Sequence, residues 1–480
     1  MNLPNALIQS LQNVKGFDED AFKEVHQAGG QITSVRLNPQ KIGNRQLADN
    51  GPLVMGNEQP ERVPWNDYGY YLKVRPSFTL DPLFHAGAYY VQEASSMFLE
   101  GALKQTVDLT KPLKVLDLCA APGGKSTLIQ SVISKKSLLV SNEVIKTRVN
   151  ILAENLTKWG AANVIVTNND PTDFKRLQNY FDVIVVDAPC SGSGLFRKDT
   201  NAISEWSENN VQLCAQRQQR ILADIIPALK DDGVLIYSTC SYSQQEDEAI
   251  ADWLIETFKV KSLQLKVDAV WGIVETISDK EKAFGYRFYP DKVKGEGFFI
   301  AAFKKQSSGI NINDEEKNHA LAKLKTKAKN KKNAVTAKEI EVLKPYLINA
   351  DDLFFIKQNE EVIAIPIHFE DDLAMIKSAL YIKKAGVKLG SIIRSELIPA
   401  HDLAVSNIIN NNIRTINLDK ETALQYLRKV EIKIDTNLKG WVLLTHQQST
   451  ESFALPIGWI KVMANRSNNY YPKEWRILNK

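Results

Sequence analysis

The chain has 480 residues, a formal net charge of +4 and 44% hydrophobic residues, which is ordinary for a folded protein of roughly two to four domains. A near-neutral average leaves any nucleic-acid surface to local clusters of cations, and no apolar run approaches the length of a membrane span. The start, MNLPNALIQS, lacks the basic-then-apolar pattern of a secretion signal, and Cys119, Cys190, Cys214 and Cys240 stand far apart with no CxxC pair. This excludes a disulfide framework and a structural zinc site, and predicts a cytoplasmic protein without a bound metal.

Residues 1–100 read as a small N-terminal domain with an RNA-binding or family-specific role. Leu7, Ile8, Leu11 and Val14 have helical spacing, and the alternation over Ile32–Asn38 predicts a strand with Ser34, Arg36 and Asn38 on one face. Arg36 and Lys73 are either phosphate contacts or solvated charges. In FHAGAYYVQEASSMFL (84–99), core packing of Tyr89 and Tyr90 is favoured over base stacking.

Residues 101–306 alternate strands with helices. Strand-type runs fall at 113–118, 138–142, 164–167, 183–187, 234–238 and 298–303. A helix over 146–159 is closed by Gly160, and SQQE (243–246) has capping-box spacing before a face of Ile250, Trp253, Leu254 and Phe258. The pattern predicts an α/β domain with a mostly parallel sheet, whose ligands sit at the carboxyl ends of the strands. Residues 307–340 read as a basic linker, with six lysines in 323–332, residues 341–382 as a small connecting domain, and 383–480 as a C-terminal β domain. In that last part Trp459, Lys461, Arg466, Tyr470 and Tyr471 form a candidate RNA-docking group, with Trp459 favoured as core.

The chemistry centres on VLDLCAAPGGKS (115–126), where a strand bearing Asp117 breaks into a glycine loop that opens a helix. Such a turn lets backbone approach a ligand closely. Four further strand ends converge on it. Glu143, on the order of 20 residues past the loop, suits the hydroxyls of a ribose. Asp170 can accept from an adenine amino group. Asp187 opens DAPCSGSG (187–194), and Cys240 ends YSTCS (237–241). A ribose and an adenine site without a second phosphate loop point to S-adenosylmethionine. Cys190 and Cys240 follow strands that would be neighbours, so both reach one crevice, where a thiolate can add to an electron-poor carbon. Cys119 and Cys214 read as buried and inert, with the Cys119 backbone lining the pocket.

The blocks DLCAAPGGKS (117–126), DAPCSGSG (187–194), YSTCS (237–241) and EGFFIAAF (296–303) resemble the RNA cytosine-5 methyltransferases. The segments IKKAGVKLGSII (382–393) and LPIGWIKVMANRSNNYYPKEWR (455–476) are similar to the PUA-like domain of the bacterial 16S ribosomal RNA branch. The resemblance implies a Rossmann-like class I S-adenosylmethionine methyltransferase domain between a small N-terminal domain and a C-terminal PUA-like domain. It implies Cys240 as the nucleophile at C6 of cytosine, Cys190 as the group assisting proton loss and enzyme release, and Asp187 as the holder of N3 and the amino group. Cys119, Ala120, Ala121, Pro122, Gly123, Gly124 and Lys125 would surround the methionine end of the cofactor, with Glu143, Asp170, Asp187 and Arg148 completing its site. The partner it implies is 16S ribosomal RNA, free or in the small subunit, with the target base unpaired or flipped out.

Three rivals are weaker. GGKST with VIVVD (183–187) resembles a P-loop ATPase, but the first Walker glycine falls on Cys119 or Ala120. A non-catalytic RNA-binding protein would have no use for the intact cysteine pair and Asp187. A transfer RNA substrate keeps the chemistry and is disfavoured by the tail.

Overall fold

A computed structural model describes residues 2–42, 61–307, 334–434, 437–448, 454–464 and 466–478. The lysine run 323–332 lies outside the described residues. The expected N-terminal helix is Asn5–Leu11, with Leu7, Ile8 and Leu11 buried. Behind it, β1 (Thr33–Leu37), β2 (Gly69–Leu72) and β3 (Tyr89–Val91) form an antiparallel sheet in the order β2-β1-β3. Tyr89 is core, as its apolar setting required. Arg36 is neither of the things expected of it: it is fully buried, donates to Gln92, Ser131 and Thr127, and lies over the Trp159 ring at 4.7 Å. It bolts β1 to the helix Gly124–Val132.

Among the described residues the central sheet has ten strands. Its five parallel strands are β4 (Lys114–Asp117), β5 (Leu138–Asn142), β6 (Val164–Thr167), β7 (Phe181–Asp187) and β8 (Leu229–Thr239), ordered β8-β7-β4-β5-β6. Their near-continuous Val, Ile and Leu content suits a sheet covered on both faces. The sheet is less parallel than expected. β9 (Val260–Leu263), β10 (Val274–Ile277), β11 (Phe284–Phe288) and β12 (Phe298–Lys305) add antiparallel pairings beyond β8. The helix Lys146–Trp159 ends at Gly160 with φ +95°, as its sequence predicts; a Cβ there would lie 2.5 Å from the Val405 carbonyl. The capping box at 243–246 does not form. That helix starts at Glu248 after Asp247, which makes no side-chain cap, and Glu246 turns inward instead.

Further along the chain, β13 (Leu353–Gln358), β14 (Glu361–Pro366), β16 (Val387–Ile393) and β17 (Glu396–Pro399) make one antiparallel sheet, and β15 (Ile382–Ala385) pairs with β6 at the far edge of the central sheet. A boundary at 382/383 therefore cuts through a sheet, and the 382–393 block is divided between two sheets. The last sheet joins β18 (Thr415–Leu418), β19 (Gly440–His446), β20 (Leu455–Val462) and β21 (Ser467–Asn469). Its apolar face shares one core with the N-terminal sheet: Val35, Tyr70 and Leu83 pack with Tyr426, Ile457 and Tyr471. Trp459 is core as favoured, and so is Tyr471, which leaves Tyr470 as the more exposed of the paired tyrosines. Lys461 is paired with Glu396 at 2.9 Å. Among the described residues no helix is long and apolar enough to cross a membrane.

Candidate active site

A cleft of about 770 Å³ opens at the carboxyl ends of the parallel strands, where the order reverses between β4 and β7. That is where an α/β sheet leaves room for a ligand. Cys119, Ala121, Pro122, Lys125, Glu143, Arg148, Asp170, Asp187, Cys190 and Cys240 all contribute to its wall. Ala120, Gly123 and Gly124, expected beside them, do not. Ala120 donates its N–H to the Asn142 carbonyl at 2.8 Å; a Cβ on Gly123 would meet Leu152 and Asn155, and one on Gly124 would meet Tyr90 and Gln92. These three shape the loop from behind, and Gly123, at φ +116°, makes the turn that a side chain would strain.

One end of the cleft is acidic and apolar. Glu143 is buried, accepts the Ile145 N–H at 2.9 Å, and keeps its other oxygen 3.5 Å from Arg148. Arg148 also donates to the Ala121 carbonyl at 2.6 Å, so it braces the loop. Asp170 uses one oxygen to cap the turn at Thr172, and those hydrogen bonds lower its pKa. Val144 and Ile145, about half exposed, and Pro171 line the cleft with the two acids. Two carboxylates on adjacent strand ends, sharing a cleft with apolar residues, fit the ribose and adenine of an adenosine cofactor. Asp117 is not in this wall. It is fully buried, takes a 2.6 Å bond from Ser126, and burial pushes its pKa up to about 7.

At the other end the two cysteines meet, Sγ to Sγ 3.0 Å. β7 and β8 are hydrogen-bonded neighbours, so the loops that leave them have to run side by side. The contact with Cys240, together with burial, pushes the Cys190 thiol well up, so Cys190 stays protonated and can donate to its neighbour. Beside them, Asp187 is held by the Lys125 ammonium at 2.7 Å and the Ser238 hydroxyl at 2.8 Å. Burial alone would lower the Lys125 pKa; the Asp187 charge and hydrogen bond reverse this and raise it. Lys125 therefore stands on the Asp187 side of the cleft, with its ammonium 5.1 Å from the Phe298 ring.

Two further residues, Asn142 and Glu296, belong to the site. Asn142 donates to Leu118 and Asn169 and accepts from Thr167 and the Asn169 N–H, locking three strand ends together. Glu296 lines the cleft, is pushed up to about 7 by burial, and lies 3.5 Å from Arg197. The EGFFIAAF block carried Glu296 and Phe298 as a resemblance without a role.

Three family models match in order along the chain: the N-terminal domain of 16S rRNA methyltransferase RsmF over 3–94, 16S rRNA methyltransferase RsmB/F over 105–304, and the methyltransferase RsmF PUA domain over 413–477. The chain belongs to the RsmB/F methyltransferase family. Relatives run nearly full length. The ribosomal RNA small subunit methyltransferase F of Shewanella piezotolerans is 27% identical over 92% of this chain and 90% of the relative. That of Vibrio vulnificus is 29% identical over 86% and 84%. A methyltransferase homolog from Pyrococcus horikoshii is 29% identical with a TM-score of 0.51, covering 63% of this chain and all of that one. As an RsmB/F protein it is a methyltransferase whose methyl donor is S-adenosylmethionine. The PUA match begins at 413, which places the 382–393 block outside it.

Proposed function

We propose that the protein methylates C5 of cytosine in 16S ribosomal RNA through a covalent adduct between Cys240 and C6. The observation that carries this is the 3.0 Å thiol pair in the same cleft as the Asp187–Lys125 pair and the two cofactor carboxylates. The relatives named for the small ribosomal subunit supply the substrate. Glu143 and Asp170 would hold the donor's ribose and adenine, with Ala121 and Pro122 near its methionine end. S-adenosylmethionine, when bound, offers an electrophilic methyl group to a carbon that is normally a poor nucleophile.

The Cys240 thiolate adds to C6, and the electrons of the C5–C6 double bond make C5 nucleophilic. Asp187 holds the protonated N3 and the amino group, which stabilises charge as it develops there. Lys125, 2.7 Å away, keeps that carboxylate oriented. Once Cys240 is bonded to C6, its contact no longer holds the Cys190 thiol up, and Cys190 gives its proton to solvent. After methyl transfer the Cys190 thiolate takes the C5 proton, the C5–H electron pair re-forms the C5–C6 double bond, and the C6–S bond breaks with Cys240 leaving as a thiolate.

The test is transfer of labelled methyl from S-adenosylmethionine into small subunits, protein-free 16S RNA and bulk transfer RNA, each lacking the modification. Label recovered as 5-methylcytosine in either ribosomal sample is expected. Label in transfer RNA alone would keep the chemistry and overturn the substrate. No label in any sample would overturn the reading.

A further inference from the structure

Neighbouring strands bring the two cysteine loops to one place, but strand order does not fix the separation of two sulfurs on flexible loops. The two loops are bonded to each other directly, Gly194 N–H to the Cys240 carbonyl at 2.8 Å and Tyr242 N–H to Ser193 Oγ at 2.9 Å, and one further buried side chain reaches both of them next to the cysteines. Glu246 accepts the Ser191 N–H at 2.8 Å and Gln218 Nε2 at 3.2 Å on Oε1, and the hydroxyls of Ser191 and Ser241 at 2.5 and 2.6 Å on Oε2. Ser191 and Ser241 are the residues immediately after Cys190 and Cys240. The attachment is braced from behind: Gln218 also donates to the carbonyl of Pro189 at 3.1 Å, and the Tyr237 hydroxyl lies 2.6 Å from the Glu246 carbonyl. Glu246 is fully buried and is absent from the cleft wall.

We propose that Glu246 is a positioning residue, a single carboxylate that clamps the loop after Cys190 to the loop after Cys240 and so sets the distance between the two thiols. The inference rests on the cysteine roles proposed above. A carboxylate suits the task because all four partners are donors and a buried carboxylate offers two oxygens to receive them. Its spacing from Ser243 resembles a helix cap, yet the chain folds back to place it under the catalytic loops.

Two readouts separate the clamp from the cysteine roles. Without RNA, diamide oxidises Cys190 and Cys240 to a disulfide, taking up the two thiol hydrogens, and the rate reports how the sulfurs are held. Glu246→Ala is expected to slow closure at least about tenfold, and to slow formation of the RNA adduct about 100-fold, since a misplacement near 1 Å costs that much. Methyl-donor affinity should stay within about twofold. Glu246→Gln should recover most of both rates with an unshifted pH profile, because its amide oxygen still receives Ser191 and Gln218 and the serine hydroxyls can turn to accept. Should Glu246→Ala fail to fold, Glu246→Asp keeps the charge but spans only one loop, and intermediate slowing is expected. Wild-type closure in these variants would overturn the clamp. Gln as inactive as Ala, with a displaced pH profile, would overturn it in favour of proton transfer. Slower closure with no adduct from any thiol variant would leave the clamp standing and refute the cysteine roles.

Discussion

Replacing Arg36 by Met separates a structural cation from an RNA contact. Methionine keeps much of the volume and removes the guanidinium. Thr127 and Ser131 lose their bonds to Arg36 but keep partners within their own helix, at Gly123 and Thr127. Gln92 Oε1 loses its 2.8 Å donor. A buried acceptor left unpaired costs about 1–3 kcal/mol, and loss of a desolvated cation–π contact such as that on Trp159 costs about 2. Burying the guanidinium is itself unfavourable, enough to push its pKa down to about 9, and Met recovers part of that. The net expectation is a loss of about 2–4 kcal/mol. At about 2–4 °C per kcal/mol for a domain of this size, Tm should fall by roughly 5–15 °C. Thermal unfolding followed by circular dichroism measures this, alongside RNA binding at several salt concentrations. A phosphate contact would contribute about 0.7–0.9 to the salt slope, and the buried arginine should contribute none. An unchanged Tm with weaker, less salt-dependent RNA binding would refute the reasoning.

Cys240→Ala is expected to abolish methyl transfer and adduct formation, read by labelled methyl incorporation; normal turnover would refute its role as nucleophile. Cys190→Ala should bind the methyl donor normally and accumulate an RNA adduct that survives denaturing gel electrophoresis, and free turnover would remove its role in release. Deleting 383–480 strips β15 from β6 and opens the core shared with the N-terminal sheet, so loss of cooperative unfolding and of donor binding is expected. A soluble truncated chain with native donor affinity would contradict that. His401 is buried with both ring nitrogens unpaired, and burial pushes its pKa down to about 3. As pH falls below about 6.5, the unfolded chain takes up a proton that the folded chain refuses. Stability present above that pH is therefore lost by about 1.4 kcal/mol per pH unit between pH 6 and 4. His401→Phe should flatten this slope in urea unfolding at stepped pH, and parallel curves for the two proteins would refute it.

The features legible in the sequence are those whose cause is local. A helix ended by Gly160, a strand ended by Glu143 or Asp187, and a glycine loop before Lys125 are each set by a few adjacent residues. Adjacent thiols were also legible, because parallel connectivity makes β7 and β8 neighbours and forces their loops together. What escaped depends on distant partners. Arg36 looks like any solvated cation until Gln92, Thr127 and Trp159 close over it from segments far along the chain. β15 reads as the start of a separate β domain, and only its pairing with β6 assigns it to the central sheet. Glu246 escaped for a sharper reason, since its spacing satisfies a local rule that the fold does not use. A cap would have stabilised one helix end; turned inward, the same carboxylate ties Ser191 to Ser241 across 50 residues. The departure from the local rule and the chemistry coincide there. The part of the chain where propensity fails is the part that must hold two sulfurs at a set distance.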